Sequence, residues 1–209
     1  MTSRLRNSLL LVAVAVASLG GIALAMHIRS NDSVVAWLAE GRGVLIAREQ
    51  QGPEGGGSLS YQALVPGEHV QQEWMLQSNF NPGNGSRPEQ VSEATYQARV
   101  RELRALLEKY PSPEITVSPN KRRSATIVRS GAPIAAACSF ASLETIKATV
   151  VVTEGRLSCS KPRNDAHSLL GYLSPSRSIL VVVRTTDVLE SQLVGVFFAE
   201  GGELKRFAK

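Results

Sequence analysis

Asp165, His167 and Ser168 bring the three residue types of a serine-hydrolase triad into four consecutive positions. In such a triad the histidine takes the proton of the serine hydroxyl, and the carboxylate orients the histidine. The members of a triad usually come from distant segments, so their closeness along the chain is weak support. We interpret Asp165 as the cap of a helix that starts at 168–170. A small periplasmic hydrolase that uses His167 as a general base remains the alternative.

Two other segments, 118–121 and 158–161, read Ser-x-x-Lys, a motif of penicillin-recognising serine enzymes in which the lysine lies one helical turn from the nucleophile. Pro119 in the first and a predicted strand in the second disagree with that helix, and chance explains both matches better. The three histidines and two cysteines show no short metal-ligand spacing. The chain also lacks a P-loop, a dinucleotide fingerprint and a Gly-x-Ser-x-Gly elbow. We therefore expect no catalytic residue, no metal and no cofactor, and an enzyme is the less favoured class.

Cys138 and Cys159 are the only cysteines of the chain. A redox pair would favour Cys-x-x-Cys, in which the near neighbour lowers the thiol pKa, and these two residues are too far apart in sequence for that. In an oxidising compartment such a pair tends to form a disulfide. We expect a structural bridge that closes a loop of about 22 residues and stabilises the fold by about 3 kcal/mol.

The N-terminal segment has the layout of an export signal. Residues 8–26 carry no charge, and Arg4 and Arg6 precede them. Basic residues ahead of an apolar run stay in the cytoplasm, so the rest of the chain is predicted to cross the membrane. The small-x-small pattern at 23–25 favours cleavage by a signal peptidase, while the length of the run also fits a single membrane anchor. Residues 1–26 are thus a signal peptide or an anchor, and 27–209 form the exported globular domain.

Positive charge is concentrated in the second half of the chain. Residues 115–209 contain thirteen basic and seven acidic residues, whereas 26–114 contain eight and eleven. The densest cluster is Lys121, Arg122 and Arg123 with Arg129, in a stretch without acids. Such a surface attracts anions, which in an exported protein are an anionic envelope component or an acidic protein partner. Few aromatic residues accompany the basic ones, so we expect no nucleic acid partner.

The elements of the first half are less clear than those of the second. Ser30–Ser33 offer capping side chains and predict a short helix over 34–38. Residues 44–47 and 59–65 are predicted strands, and the alternation over 70–76 favours a third strand over a helix at 68–77. A capping box at Ser86–Glu89 predicts the start of a helix that ends before Pro111. Its apolar stripe follows spacings of four and three: Tyr96, Val100, Leu103, Leu107 and Tyr110.

The second half reads as strands joined by tight turns. Strands are predicted over 115–117, 125–128, 146–153, 179–184 and 193–199, with turns at 154–155 and 201–202. The small apolar segment 132–143 predicts a buried helix that carries Cys138. This order of elements favours an α+β fold with a largely antiparallel sheet and helices on one face, and 79–88 is a candidate boundary between two sub-regions.

The composition is that of an ordinary globular protein, with 209 residues of which 43% are hydrophobic and 20% charged. It excludes collagen, a long coiled coil and wholesale disorder. Taken with the predicted export and the missing catalytic signatures, it favours an exported bacterial envelope protein that binds another macromolecule, in the manner of an adaptor or an inhibitor. The alternatives are the hydrolase using His167 and an assembly subunit anchored in the inner membrane.

Overall fold

The computed structural model describes residues 29–52, 56–78, 91–117, 127–129, 138–160, 168–186 and 190–207. The export segment 1–26 and the candidate boundary at 79–88 lie outside the described residues, so the predictions made for them stay predictions. The helix predicted to start at the capping box Ser86–Glu89 starts instead at Glu93, because Val91 and Ser92 are not helical and Ser92 is its cap.

Within the described residues the chain forms thirteen strands, two α-helices and two single-turn 3-10 helices, Ala39–Gly41 and Pro66–Glu68. In chain order the strands and α-helices are β1 (Arg29–Leu38), β2 (Gly43–Gln51), β3 (Gly57–Val65), β4 (Val70–Ser78), α1 (Glu93–Lys109), β5 (Ile115–Val117), β6 (Ile127–Arg129), β7 (Cys138–Phe140), α2 (Leu143–Thr149), β8 (Val150–Thr153), β9 (Arg156–Cys159), β10 (Leu169–Leu173), β11 (Ile179–Thr185), β12 (Ser191–Glu200) and β13 (Glu203–Arg206).

One sheet of nine strands dominates the structure. Its order is β4-β3-β2-β1-β12-β11-β10-β7, and β13 also pairs with β12. The described pairs in it are antiparallel except β1 with β12, which meet in parallel through Asn31 and Ser191. Strands β5–β6 and β8–β9 form two small separate sheets. The predicted α+β fold with a largely antiparallel sheet is confirmed.

The first four strands form a meander that α1 covers on one face. The helix starts at a cap, since the backbone N–H of Thr95 donates to the hydroxyl of Ser92 over 3.2 Å. Its buried stripe packs on alternate residues of the strands, and we call this cluster the helix-side core. The buried helix residues are Tyr96, Val100, Leu103 and Leu106. The predicted apolar face of this helix is confirmed, with Leu107 only partly buried.

The second half of the sheet has its own core beside the disulfide. This disulfide-side core joins strand residues to α2, β8 and β9, and its members are Cys138, Phe140, Ile146, Val150, Leu157, Leu169, Leu180 and Val182. Gly171 in β10 belongs here for a steric reason. A Cβ at that position would lie 2.7 Å from the Phe140 ring, so glycine leaves the room that the ring needs beside the strand.

A third cluster, the inner core, joins the two halves of the sheet. It contains residues of β1, β2 and β3 together with residues of β11 and β12: Val34, Trp37, Val44, Ile46, Leu64, Ile179, Val181, Val183 and Val196. On β2 and β11 these residues alternate with members of the two outer cores. Each helix therefore lies on the face of its own half that is turned away from the inner core.

Two loops, one between β1 and β2 and one between β10 and β11, join the halves by hydrogen bonds at one end. The turn between β1 and β2 contains Gly41, with φ +90, and its carbonyl accepts hydrogen bonds from Ser176 Oγ at 2.8 Å and Ser178 Oγ at 3.3 Å. A Cβ on Gly41 would lie 3.0 Å from the Ser176 backbone nitrogen. Glycine is required there both for its left-handed backbone and for the close approach of the serine loop.

Three local predictions in the first and last parts of the chain are wrong. Residues 34–38 belong to β1, not to a helix, because this end of the strand is buried on both faces and its apolar run loses the alternation of a half-exposed strand. Residues 168–170 do not start a helix, since β10 begins at Leu169. Residues 146–149 are the end of α2, which Ser142 caps by accepting from the Thr145 N–H at 3.3 Å, so the predicted strand begins only at Val150.

The helix predicted over 132–143 is also wrong where the structure describes it. Cys138 lies in the short edge strand β7, which pairs with β10 through Cys138 and Gly171. Small apolar residues gave no periodicity that could separate a buried helix from a buried strand. The disulfide and the ladder with β10 decide in favour of the strand.

Candidate binding cleft

The predicted disulfide is confirmed. Cys138 in β7 and Cys159 in β9 are bonded, with their Cα atoms 6.1 Å apart. The bridge ties an edge strand of the large sheet to the small β8–β9 sheet. A bond of this kind is typical of proteins in an oxidising, extracytoplasmic environment.

The predicted basic patch is only partly within the described structure. Arg129 is the last residue of β6, opposite Ile115 of β5. Lys121, Arg122 and Arg123 lie outside the described residues. An anion site at these four residues stays a prediction.

Of the three triad residue types at 165–168, only the serine lies within the described structure. His167 and Asp165 lie outside the described residues, and the exposed Ser168 precedes β10. In the parts of the chain that the structure describes, no three His, Cys, Asp or Glu side chains are grouped so that they could hold a metal ion. The helices found there are also too short or too polar to span a membrane.

A cleft opens where β1 leaves β12. The first residue of β12 pairs with β1, and β13 pairs with β12 only from Phe197 onward. Between these points side chains bond the backbone of β12. The N–H of Leu193 donates to Asp32 Oδ2 at 2.7 Å, and the carbonyl of Val194 accepts a hydrogen bond from the Arg206 guanidinium. This gap in the strand ladder forms one wall of the cleft.

Asp32 is held in place by a cross-strand partner. It is 4% exposed and lies opposite Arg48 in the β1–β2 register. The Nε of Arg48 donates to Oδ1 at 2.9 Å, and its Nη2 lies 3.4 Å from Oδ2. The hydrogen bond to Asp32 raises the pKa of the Arg48 guanidinium above its ordinary value. Arg48 therefore lines the cleft with its charge already paired.

Arg206 is held differently. It is exposed and crosses β12 beside Gly195, where a Cβ would lie 2.9 Å from its Nε. Glycine at 195 thus leaves room for the guanidinium to reach the carbonyl of Val194. Within the described residues, no carboxylate forms an ion pair with Arg206.

The cleft has a volume of about 470 Å³. Strands β2, β3 and β4 supply one wall, and β12 with Arg206 of β13 and the following Phe207 supplies the other. The lining combines apolar and polar side chains. Its lining residues are Arg48, Gln62, Leu64, Gln71, Leu193, Val194, Gly195, Val196, Arg206 and Phe207.

Gln62 is the unusual member of this set. It is only 8% exposed, yet within the described structure its carboxamide has no hydrogen-bond partner. Every described side-chain nitrogen or oxygen that is shut off from solvent is hydrogen-bonded, so the carboxamide of Gln62 must border the open space of the cleft. It lies between Ile46 and Glu73 in the sheet register, on the face that carries the inner core.

A second cavity, of about 530 Å³, lies between β4 and α1. Its indole and phenol groups already have carboxylate partners. The indole N–H of Trp74 donates to Glu102 at 3.1 Å, and the hydroxyl of Tyr110 donates to Glu68 at 2.6 Å. The bond from Tyr110 lowers the pKa of Glu68 below its ordinary value, with a smaller contribution from Lys109. These bonds join helix α1 to strand β4 and to the turn before it.

Sequence reasoning missed the residues of the cleft. Asp32 was interpreted as a capping residue, and Gln62 sits inside an apolar run that was recognised only as a strand. The available signal was the polar residue at an inward position of β3, between Ser60 and Leu64, because a buried carboxamide needs a reason to be there.

Comparisons with protein families, with curated proteins and with solved structures found no match to the chain.

Proposed function

We propose that this chain is an exported envelope protein that acts in the periplasm by binding another macromolecule, as an adaptor or an inhibitor does. The observation that carries the proposal is the cleft between β2–β4 and β12. It combines apolar lining residues with the carboxamide of Gln62, which has no hydrogen-bond partner within the described residues, and the guanidinium of Arg206, which has no ion-pair partner there. Such a combination is typical of sites that fix the position of a partner with a few polar groups.

The disulfide supports the proposed location outside the cytoplasm. Cys138 and Cys159 are bonded in the folded chain, and such bonds persist where thiols are not kept reduced. Together with the apolar run at 8–26, this favours a body that works outside the cytoplasm. The body is either free after cleavage near residue 25 or held at the inner membrane by the uncleaved segment.

Export is tested with a reporter fused after Lys209. A reporter that is active only outside the cytoplasm should be active in this fusion, and washing membranes at alkaline pH should then separate a released chain from an anchored one. If that reporter is inactive, and a second reporter that works only in the cytosol is active at the same position, the proposal is contradicted.

Binding is tested by photocrosslinking in intact cells. A photoreactive amino acid is placed at Gln71 on the rim of the cleft, at Arg101 on α1 or at Arg156 on β9, all of which are exposed. We expect a defined cross-linked product from at least one surface. The absence of a product from every position, with the three variants stably exported, would contradict a binding function.

The hydrolase alternative has its own test. His167→Ala should leave both the phenotype and the melting temperature unchanged if the chain acts by binding. Loss of the phenotype with unchanged stability would favour catalysis through His167 instead.

A further inference from the structure

We propose that the cleft binds a polypeptide segment that carries a carboxylate, with the carboxylate at Arg206 and a neighbouring peptide group at Gln62. This inference rests on the proposed function, because it names the class of macromolecule and the place where it docks.

Gln62 points to a peptide group. A carboxamide has two donors and an acceptor, and it matches a peptide bond, which offers one N–H and one C=O. A polar side chain that is 8% exposed normally bonds to protein or to ordered water. Within the described residues the protein supplies no partner, and the free capacity borders the cleft. A bound chain that bonds to Gln62 would fill this capacity.

Arg206 points to the carboxylate. Its guanidinium has five N–H donors, and one of its nitrogens, Nη2, donates to the carbonyl of Val194. The other guanidinium of the cleft, on Arg48, is already bonded to Asp32 at 2.9 Å. Within the described residues, the uncompensated positive charge of the cleft therefore lies on Arg206, where a carboxylate can form the paired geometry that arginine favours.

The apolar lining determines which side chain can lie beside the carboxylate. Leu64 from one wall and Leu193 and Phe207 from the other present apolar surface to the cleft. The space of about 470 Å³ is within the range of small-ligand pockets and holds a short stretch of chain rather than a folded domain. The preferred segment has an apolar side chain next to its acidic group.

The second cavity does not compete for this role. Its indole, phenol and carboxylate groups are bonded to each other, so a ligand there would have to break existing bonds. The charges around it are acidic as well as basic, with Glu68 beside Lys109 at 3.3 Å. Charge complementarity to a carboxylate is thus found at Arg206.

The test measures the binding of short peptides to the full chain purified from the envelope. Three probes are compared by calorimetry: N-acetyl-Ala-Leu-Ala with a free carboxylate, the same peptide as its C-terminal amide, and N-acetyl-Ala-Leu-Asp-Ala amide. The first and third separate a chain terminus from an acidic side chain as the source of the carboxylate. We expect one of them to bind at least about tenfold more tightly than the neutral amide.

The variants locate the site. Arg206→Gln should weaken the binding of the acidic peptide about tenfold or more, and Gln62→Leu should weaken it without lowering the melting temperature. Arg101→Gln is the matched control, since it removes the same charge from an exposed position on α1 and should change nothing. The comparison of peptides needs no variant, so it remains decisive if Arg206→Gln fails to fold.

The outcomes separate this inference from the function it rests on. Equal affinity for the three peptides, no binding of any of them, or equal effects of Arg206→Gln and Arg101→Gln would overturn the inference. A cross-linked partner at Arg101 or Arg156 but not at Gln71 would overturn it while leaving a binding function in place. A cytosolic reporter at Lys209 would overturn the proposed function even if the peptides bind.

Discussion

Replacing Gln62 by leucine should stabilise the free protein. The side chain is 8% exposed and its carboxamide lacks a partner within the described structure, so folding removes its water, without a compensating bond, except where it borders the cleft. Such a loss costs about 1–3 kcal/mol, and contact with the cleft places Gln62 at the lower end. Leucine avoids this cost and adds apolar contact beside Ile46. We expect the free energy of unfolding to rise by about 1 kcal/mol.

The measurement is equilibrium unfolding by urea, followed by the fluorescence of the tryptophans, of which Trp37 lies in the inner core. For a chain of this length the same change should raise the melting temperature by about 2–4 °C. Gln72→Leu is the matched control, because Gln72 lies on the neighbouring strand β4 and is exposed. Its effect should stay within about 0.5 kcal/mol.

The reasoning would be refuted if Gln62→Leu lowered the free energy of unfolding by 1 kcal/mol or more, a threshold of about the worth of one hydrogen bond. That result would mean that the carboxamide makes a structural bond in the folded protein. A stabilising substitution that also abolishes peptide binding would instead be the pattern of a functional residue that costs stability.

Three further predictions concern the disulfide, the loss of stability at acidic pH and the ion pair of Asp32 with Arg48 at the cleft. Replacing both Cys138 and Cys159 by serine should lower the free energy of unfolding by about 3 kcal/mol, as measured with urea, and an unchanged midpoint would contradict a stabilising role. Glu68 has a lowered pKa in the folded state, so its contribution is present above its ordinary pKa and is lost as the pH falls through the folded value. Tyr110→Phe should therefore reduce the difference in melting temperature between pH 6 and pH 3. An unchanged difference would exclude the hydrogen bond from Tyr110 as the cause of the lowered pKa of Glu68. Asp32→Asn should cost about 2 kcal/mol in thermal unfolding, because the buried acceptor of three hydrogen bonds loses its charge, and a neutral effect would show that the pair is dispensable.

The parts of the fold that were predictable are those with a strong local signal. The helix α1 has a stripe with regular spacing, and the hairpin turns at Gly155 and Gly201 need residues with positive φ. These features depend on neighbours in sequence, and the structure has them where they were expected. The pairing of Cys138 with Cys159 was predictable because no other cysteine competes.

The errors arise where long-range contacts decide. Residues 36–38 are buried on both faces because the inner core and the helix-side core meet around them, and neither contact is visible in the local sequence. The cleft was unpredictable for the same reason. Its walls come from residues about 130 positions apart, such as Gln62 and Leu193, and only the register of the sheet brings them together.

The junction of β1 with β12 also sets the order in which the molecule can assemble. The strands β1 to β4 pair with their neighbours in sequence, so they can form as soon as they have been synthesised. Asn31 must wait for Ser191, which follows it by 160 residues, and closing so large a loop is slow. Until then the inner-core face of β1 and β2 is not covered by β11 and β12. An incomplete chain therefore exposes an apolar surface, and its premature release would favour aggregation over folding.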